Sequence, residues 1–551
     1  MTGRPAPDGI FVSAAPALRL DETYDFAIVG SGFGGSVAAL RLTQKGYRVL
    51  ILERGRRFAD EDFPKTNWDL PRYLWMPAAR CYGIMEFSFL RHVLYLHGSG
   101  VGGGSLVYAG VLMEPEAEVF AAPEWSRLAD WKTLLAPHYV EVRRMLGVAR
   151  NPRLGPADDV LRRLGQEAGT GATFQATEVG IYFGEEGRAT PDPYFGGGGP
   201  ARSGCTFCGG CLVGCRYNSK NTLVKNYLHF AEAGGARILP EATVDALWPL
   251  AEGQADGARY RLTFHKTRGM GGGQVRARNI VVAAGTLGTL SLLLKCRDGL
   301  RSLPRLSRRL GERVRTNSES LLGSFARRTD VDYSKGVAIS SIVHADAVTR
   351  VEPVRYPEGS SFIRMLSLPL VDAVGMGFVG RVGRALAGIL RHPLDFLREK
   401  VFPHWARRTT ILLVMQSEEN FLTMLWARRP LALFRAGTVT RRDTSRPVPT
   451  ELPIAHAMAR RFAAETNGAA VGSWTETLFD MSLTAHLMGG CPMGKTEDDG
   501  VVQMTGEAFG HPGLYVLDGS VVPGNPGVNP SLTIAALAEF AVNQMPDRGR
   551  R

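Results

Sequence analysis

The sequence predicts an α/β chain in which one parallel-sheet domain is assembled from separated pieces and carries an α+β roof. Three observations predict it. A strand–turn–helix–strand unit opens the chain, two further strand–helix pairs lie far downstream, and stretches of different character interrupt them. With 551 residues, 44% of them hydrophobic, the chain can bury a large core and form two or more domains.

The opening unit is the most explicit. Tyr24–Gly30 (YDFAIVG) reads as a buried parallel strand, Ser36–Lys45 as a helix ended by Gly46, and Tyr47–Leu52 as a second buried strand. Gly30-Ser31-Gly32-Phe33-Gly34-Gly35 between them fits G-x-G-x-x-G. Gly30 allows the tight turn, Gly32 lets backbone approach a pyrophosphate, and Gly35 lets helix pack on strand. The helix N-terminus offers N–H donors and a positive dipole end to phosphate. Glu53 ends the second strand, where a carboxylate can bind ribose hydroxyls. In this order the features form a Rossmann-like dinucleotide fingerprint.

The second pair is Ala277–Ala284, a strand, turning at Gly285–Thr286 into a helix over Leu287–Lys295; the third is the strand Leu514–Leu517 with the helix Thr533–Met545. The nucleotide-binding domain is therefore drawn from residues 20–115, 215–320 and 478–545. Residues 116–214 form a cap region ending in a cysteine-rich loop, and residues 321–477 a mixed-sheet substrate domain with strand-like runs at Ala338–Val343 and Thr410–Met415. Glycines gather in short runs. His97–Tyr108 (HGSGVGGGSLVY), including Gly100, and Ala283–Leu292 (AAGTLGTLSL), including Gly285, leave backbone amides free to touch a flat ligand.

The net charge is +12, with basic clusters at Arg301–Arg315, Arg381–Arg408 and Arg441–Arg446. No alternation of basic and aromatic residues builds a nucleic-acid groove, so these read as solvated surface. Met1–Leu20 has no apolar core of a signal peptide, and no run reaches ~18 apolar residues. A cytoplasmic, reduced protein without a disulfide framework is expected. Met365–Trp405 alternates apolar stretches with Arg381, Arg384, Arg391 and Arg398. It reads as a lid or apolar cavity wall, with peripheral membrane contact as the alternative.

Taken together, Asp25–Gly55, Gly98–Tyr108, Ala283–Leu292, His486–Gly494 and Leu514–Glu539 resemble the glucose–methanol–choline (GMC) oxidoreductases, in their cholesterol oxidase-like branch. The resemblance spans essentially the whole chain and is weakest over the roof. It implies FAD as cofactor, with Gly104 and Ser105 beside the isoalloxazine, Val244 at the adenine through its backbone, and Asp518 near the pyrophosphate. Tyr108 stands where cholesterol oxidases carry Asn, and where some relatives carry a His linked to FAD. Non-covalent FAD is expected.

The resemblance also places a His and a His-or-Asn at the reacting carbon, matched here by His486 (AHLMGGCPMG) and Asn529 (GVNPSLTIAALAE). An imidazole can accept the hydroxyl proton near neutral pH, and an amide can donate to the substrate oxygen. Asn529, against the flavin, could equally cap the helix after it; His97 is a weaker candidate. Absence of a polar cluster suited to a sugar favours an apolar alcohol or sterol, 3β-hydroxysteroids first. Glu418 and Glu419 are the candidates for a carboxylate that would isomerise such a product. Hydride would pass to flavin N5 and then to O₂, giving H₂O₂.

Cys205, Cys208, Cys211 and Cys215 keep an alternative open. Their C-x₂-C-x₂-C-x₃-C spacing is the ferredoxin-type run, with Arg216 where a ferredoxin carries Pro. A 4Fe–4S or 3Fe–4S cluster there would make the chain a dehydrogenase feeding an external acceptor such as a cytochrome or quinone. The competing reading is a reduced, buried loop that shapes the flavin domain. A flavin electron carrier with no substrate of its own is the reading from a different class.

Overall fold

A computed structural model describes residues 20–328, 330–428 and 436–549. Residues 1–19, which carry the reading of Met1–Leu20, lie outside the described residues. β1 (Thr23–Val29) is buried along its whole length, as a strand covered on both faces must be. α1 (Phe33–Gln44) begins one turn earlier than the sequence pattern suggested, because Gly32 is extended and the helix springs directly from the fingerprint. β2 (Val49–Leu52) follows. Further along come β3 (Gly272–Val282), α2 (Gly285–Leu294), β4 (Ser320–Ala326) and β5 (Thr349–Val354). Then come α3 (Phe378–Arg391), α4 (Pro393–Val401), β6 (Thr409–Gln416), β7 (Leu514–Val516) and α5 (Ser531–Asn543).

The first sheet runs Arg237–Leu239, β2, β1, β3, Tyr260–Lys266, Ala242–Pro249, with β7 also on β3. Val29 pairs with Leu52 and Val282, and Val282 with Val516, all in parallel register. Strands from three distant parts of the chain thus end at one edge, where open α/β sheets bind ligands. The N-terminal half of β3 pairs antiparallel with Tyr260–Lys266, so this sheet mixes both directions.

The second sheet, the roof, runs Ser367–Pro369, Gly468–Ser473, β4, β6, β5, Ser341–His344, Gln175–Ala176. It pairs antiparallel throughout rather than as the mixed sheet expected of this domain. Alternation along β6 sorts its side chains. Leu412 and Val414 pack into a core beneath the helices Pro156–Glu167 and Pro453–Glu465, while Thr409, Ile411 and Leu413 face the first sheet across a cavity.

Candidate active site

One cavity of about 590 Å³ runs from the C-terminal edge of the first sheet to the underside of the roof. Its nucleotide end holds Gly30, Gly32, Glu53, Val244, Gly285 and Asp518; its roof end holds His486 and Asn529. Gly104, His97 and Tyr108 line it as well. Gly35, Gly100 and Ser105 do not. A Cβ on Gly35 would fall 2.2 Å from the Gly30 carbonyl oxygen, so its absence lets α1 close on the turn. Gly100 has φ +134°, and a Cβ there would fall 2.7 Å from Leu106 and 2.8 Å from Phe58. Ser105 is buried, its hydroxyl donating to the Gly102 carbonyl (2.7 Å) and accepting from Leu223 N–H (3.0 Å).

The cradle has room where a cofactor would need it. A Cβ added at Gly32 would meet no atom within 4 Å, and neither would one at Gly285, the first residue of α2. Glu53 is buried and held by Ser31 N–H (3.1 Å), Ser31 hydroxyl (2.7 Å) and Gly55 N–H (2.8 Å). Asp518 is fixed by Thr289 and Ser520 hydroxyls at 2.5 and 2.6 Å. Burial holds His97 at about 4 and hence neutral; its Nε2 lies 2.9 Å from Ser88 Oγ. Tyr108 donates its hydroxyl to the Asn221 carbonyl at 2.9 Å.

His486 is delivered by the strand Ser482–Thr484, which pairs parallel to Val93–Gly98. Its Nδ1 lies 2.9 Å from Oε2 of Glu319, a carboxylate with no exposure, which leaves Nε2 for the cavity. Glu319 also accepts from the backbone of Ala485 (2.9 Å) and His486 (3.2 Å) and from the Thr484 hydroxyl. Burial favours the neutral forms of both groups, but their mutual attraction wins: Glu319 is held below its usual range and His486 above it. Asn317 Nδ2 approaches His486 Nδ1 at 3.5 Å and donates to the Val528 carbonyl at 3.0 Å.

Asn529 sits just ahead of α5 without capping it; the capping position belongs to Pro530. Its Nδ2 lies 3.5 Å from Oε2 of Glu352, while its Oδ1 is buried without a partner. Burial pushes the Glu352 carboxyl up to about 8, against the pull of His486 and Asn529. Glu319 and Glu352 are the carboxylates that reach the His–Asn pair. Glu419 is instead paired with Arg315 at 3.0 Å, and neither it nor Glu418 lines the cavity. Sequence reasoning missed Glu319, Glu352 and Asn317.

The cysteine loop lies beside this site. Leu212 lines the cavity, and buried Lys220 donates to the carbonyls of Leu106 (2.9 Å), Tyr108 (3.2 Å) and Cys211 (2.7 Å). All seven cysteines are unpaired. No three of the four loop sulfurs lie within 4.8 Å of one another, which speaks against one shared metal ion but not against a cluster whose irons each take one sulfur. Burial pushes the Cys205, Cys208 and Cys211 thiols up, Cys211 to about 11 despite Lys220. These observations fit the buried-loop reading, and nothing here favours the iron–sulfur alternative.

Family models for GMC oxidoreductases match residues 201–313 and 422–538, and one for an NAD(P)-binding Rossmann-like domain matches residues 28–65. The chain is 45% identical to a cholesterol oxidase of Mycobacterium tuberculosis over 544 residues, 96% of this chain and 92% of the relative. The chain belongs to the GMC oxidoreductase family. A second cholesterol oxidase, from Acinetobacter baumannii, is 43% identical over 95% of this chain and 94% of its own. A variant formate oxidase of Aspergillus oryzae shares the fold with a TM-score of 0.60 at 14% identity, covering 96% and 98% of the two chains. Within the GMC family this is a cholesterol oxidase-like member, an FAD-dependent oxidoreductase acting on CH–OH donors. Among the described residues, no helix is long and apolar enough to cross a membrane.

Proposed function

We propose that the chain oxidises the hydroxyl of an apolar secondary alcohol, 3β-hydroxysteroids first, with O₂ as the terminal acceptor and H₂O₂ as the product. The observation that carries this reading is the single cavity joining the glycine cradle to a roof whose walls are apolar. Ile339, Val354, Ile363, Leu366, Trp405 and Leu413 surround the space beyond His486 and Asn529. Such a surface gains by taking apolar area out of water, about 25 cal/mol per Å² buried. The relatives named cholesterol oxidase support the same substrate class.

The residues fit FAD. The space over Gly32 and the start of α1 suit a pyrophosphate, with Gly30, Gly285 and Asp518 around it, and Glu53 and Val244 lie where ribose and adenine would sit. Bound there, with Gly104 among the residues lining the space, FAD would supply the two-electron acceptor for the carbinol hydride. The protein manages the proton and the oxygen. With Nδ1 held by Glu319, His486 presents Nε2 to the substrate hydroxyl and takes its proton, and Glu319 stabilises the resulting imidazolium. A flip of the Asn529 amide, exchanging Oδ1 for the Nδ2 that now faces Glu352, would let a Glu352 kept neutral by burial donate to the Asn529 carbonyl and turn the NH₂ toward the substrate oxygen. Water is excluded by the apolar roof, which strengthens both interactions.

Anaerobic mixing tests the reading. Cholesterol or another 3β-hydroxysteroid should bleach the flavin absorbance; if glucose or choline reduces it fastest and sterols not at all, the substrate assignment is wrong.

A further inference from the structure

Lys220 is 2% exposed, and among the described residues no carboxylate pairs with its ammonium. It donates instead to the carbonyls of Leu106, Tyr108 and Cys211. Three N–H groups meet three oxygens, so every donor is satisfied while the charge stays unneutralised. The neighbouring Cys211 thiol, pushed up to about 11 by burial, is no counter-ion near neutral pH. Burying such a charge is costly, and hydrogen bonds offset only part of the lost hydration. An unpaired buried cation is therefore a feature to be explained, and the proton chemistry of His486 and Asn529 does not use it.

The charge stands directly behind the wall of the flavin space. Residues 220–223 back the glycine loop: Tyr108 donates its hydroxyl to the Asn221 carbonyl at 2.9 Å, and Leu223 N–H donates to Ser105 Oγ at 3.0 Å. Lys220 Nζ lies 5.2 Å from the centre of the Tyr108 ring. An aromatic ring attracts a cation without cancelling its charge. Gly103, Gly104, Val107 and Tyr108 line the cavity, whereas Lys220 does not. Lys220 touches Tyr108 and Tyr108 lines the cavity, so the ammonium is one residue back from it.

With the hydroxyl proton taken by His486, hydride transfer leaves negative charge on the flavin ring. A cation set in a wall of low dielectric stabilises that charged form more than the neutral, oxidised one. We infer that Lys220 is a positioning charge which, through the glycine loop and Tyr108, raises the reduction potential of the bound flavin. This deepens the proposed function and rests on its reading that FAD fills the cavity, with the ring beside residues 103–108. The same field makes the reduced ring easier to ionise.

Two variants separate charge from anchoring. Lys220→Gln keeps N–H donors for the carbonyls without the charge, and Lys220→Met keeps neither. Both should lower the equilibrium constant for flavin reduction by ~10-fold or more, read as a midpoint potential at least about 30 mV more negative in a dye-equilibrated titration. Flavin content and melting temperature, measured alongside, report anchoring. A wild-type potential in Lys220→Gln, with only Lys220→Met altered, would make Lys220 a structural clamp and overturn the inference. Normal flavin content with an unmoved potential in both variants would overturn it too, while leaving FAD in place. If both variants lose the flavin, the wild-type protein decides. Its reduced flavin should keep the anionic absorbance spectrum to at least ~1 pH unit below the point at which free reduced FAD protonates; a neutral spectrum there would sink the inference. A wild-type chain that takes up no FAD would instead remove the cofactor placement of the proposed function, and this inference with it.

Discussion

The proton chemistry of the site rests on a few side chains whose ionisation their neighbours set. Removing the base should be costly: His486→Ala is expected to lower turnover by ~10²-fold or more with flavin still bound, measured as the rate of anaerobic flavin reduction. Glu319 can be tested by pH. Burial lowers the His486 pKa and Glu319 raises it, so Glu319→Gln leaves burial opposed by Glu352 alone. A base must be neutral, so activity rises with pH through the His486 pKa. The acid limb of kcat/KM should therefore move to lower pH in Glu319→Gln; an unmoved limb would mean that Glu319 only packs. Glu352 makes a separate prediction. Its folded pKa of about 8 lies above the ordinary value of 4.5, so its contribution to stability is full below about pH 4.5 and is lost as pH rises through about 8. Glu352→Gln does not titrate. Relative to wild type, its melting temperature should gain between pH 5 and pH 9, and parallel curves would contradict the burial argument. His486 and Asn529 were legible because each sits in a Gly- or Pro-flanked motif. Glu319 and Glu352 were not, being 167 and 177 residues away in sequence from the groups they serve. The one local hint was Glu352 itself, an acid inside the strand run TRVEPV, where an ionised carboxylate is expensive.

At the scale of elements, legibility followed locality. β1, α1 and β2 could be read because strand, glycines, helix and acid all lie within one short stretch, and only end residues moved, most of all the starts of α1 and β2. The roof could be recognised as sheet but not as wholly antiparallel, because its neighbours come from residues far apart and only tertiary pairing sets their direction. The cysteine loop shows the limit of spacing as evidence: the pattern suits a cluster, yet it equally suits a buried loop held by Lys220 on the Cys211 carbonyl. Iron and acid-labile sulfide in anaerobically purified protein should fall well below one atom per chain. Stoichiometric iron would reverse this and move the chain to a dehydrogenase. Gly32 offers the cleanest element-scale test. A valine there keeps the fold, because its Cβ meets open space, but its methyls enter the space assigned to the pyrophosphate. Gly32→Val should purify folded and colourless; a yellow variant with normal flavin content would relocate the cofactor.

The whole molecule is organised around that cavity rather than along the chain. The fingerprint, Val244, the start of α2, His486, Asp518 and Asn529 come from widely separated stretches and meet at one space, beneath a roof contributed by β4, β5 and β6. A ligand filling the space touches every piece of the discontinuous domain, while the unfolded chain offers it no comparable site. Binding to the folded state alone stabilises by RT ln(1 + [L]/Kd), about 4.1 kcal/mol when free FAD is 1,000 times Kd. With an unfolding entropy of about 2.1 cal/mol/K per residue, that shifts the melting temperature of a chain this size by roughly 3–4 °C. Stripping FAD should lower the melting temperature by about that amount, and adding it back should restore it. Gly32→Val should melt near the stripped protein whether or not FAD is present. Equal melting of stripped and reloaded wild-type protein, with flavin shown to be bound, would mean that the cofactor does not bridge the separated segments as the cavity implies.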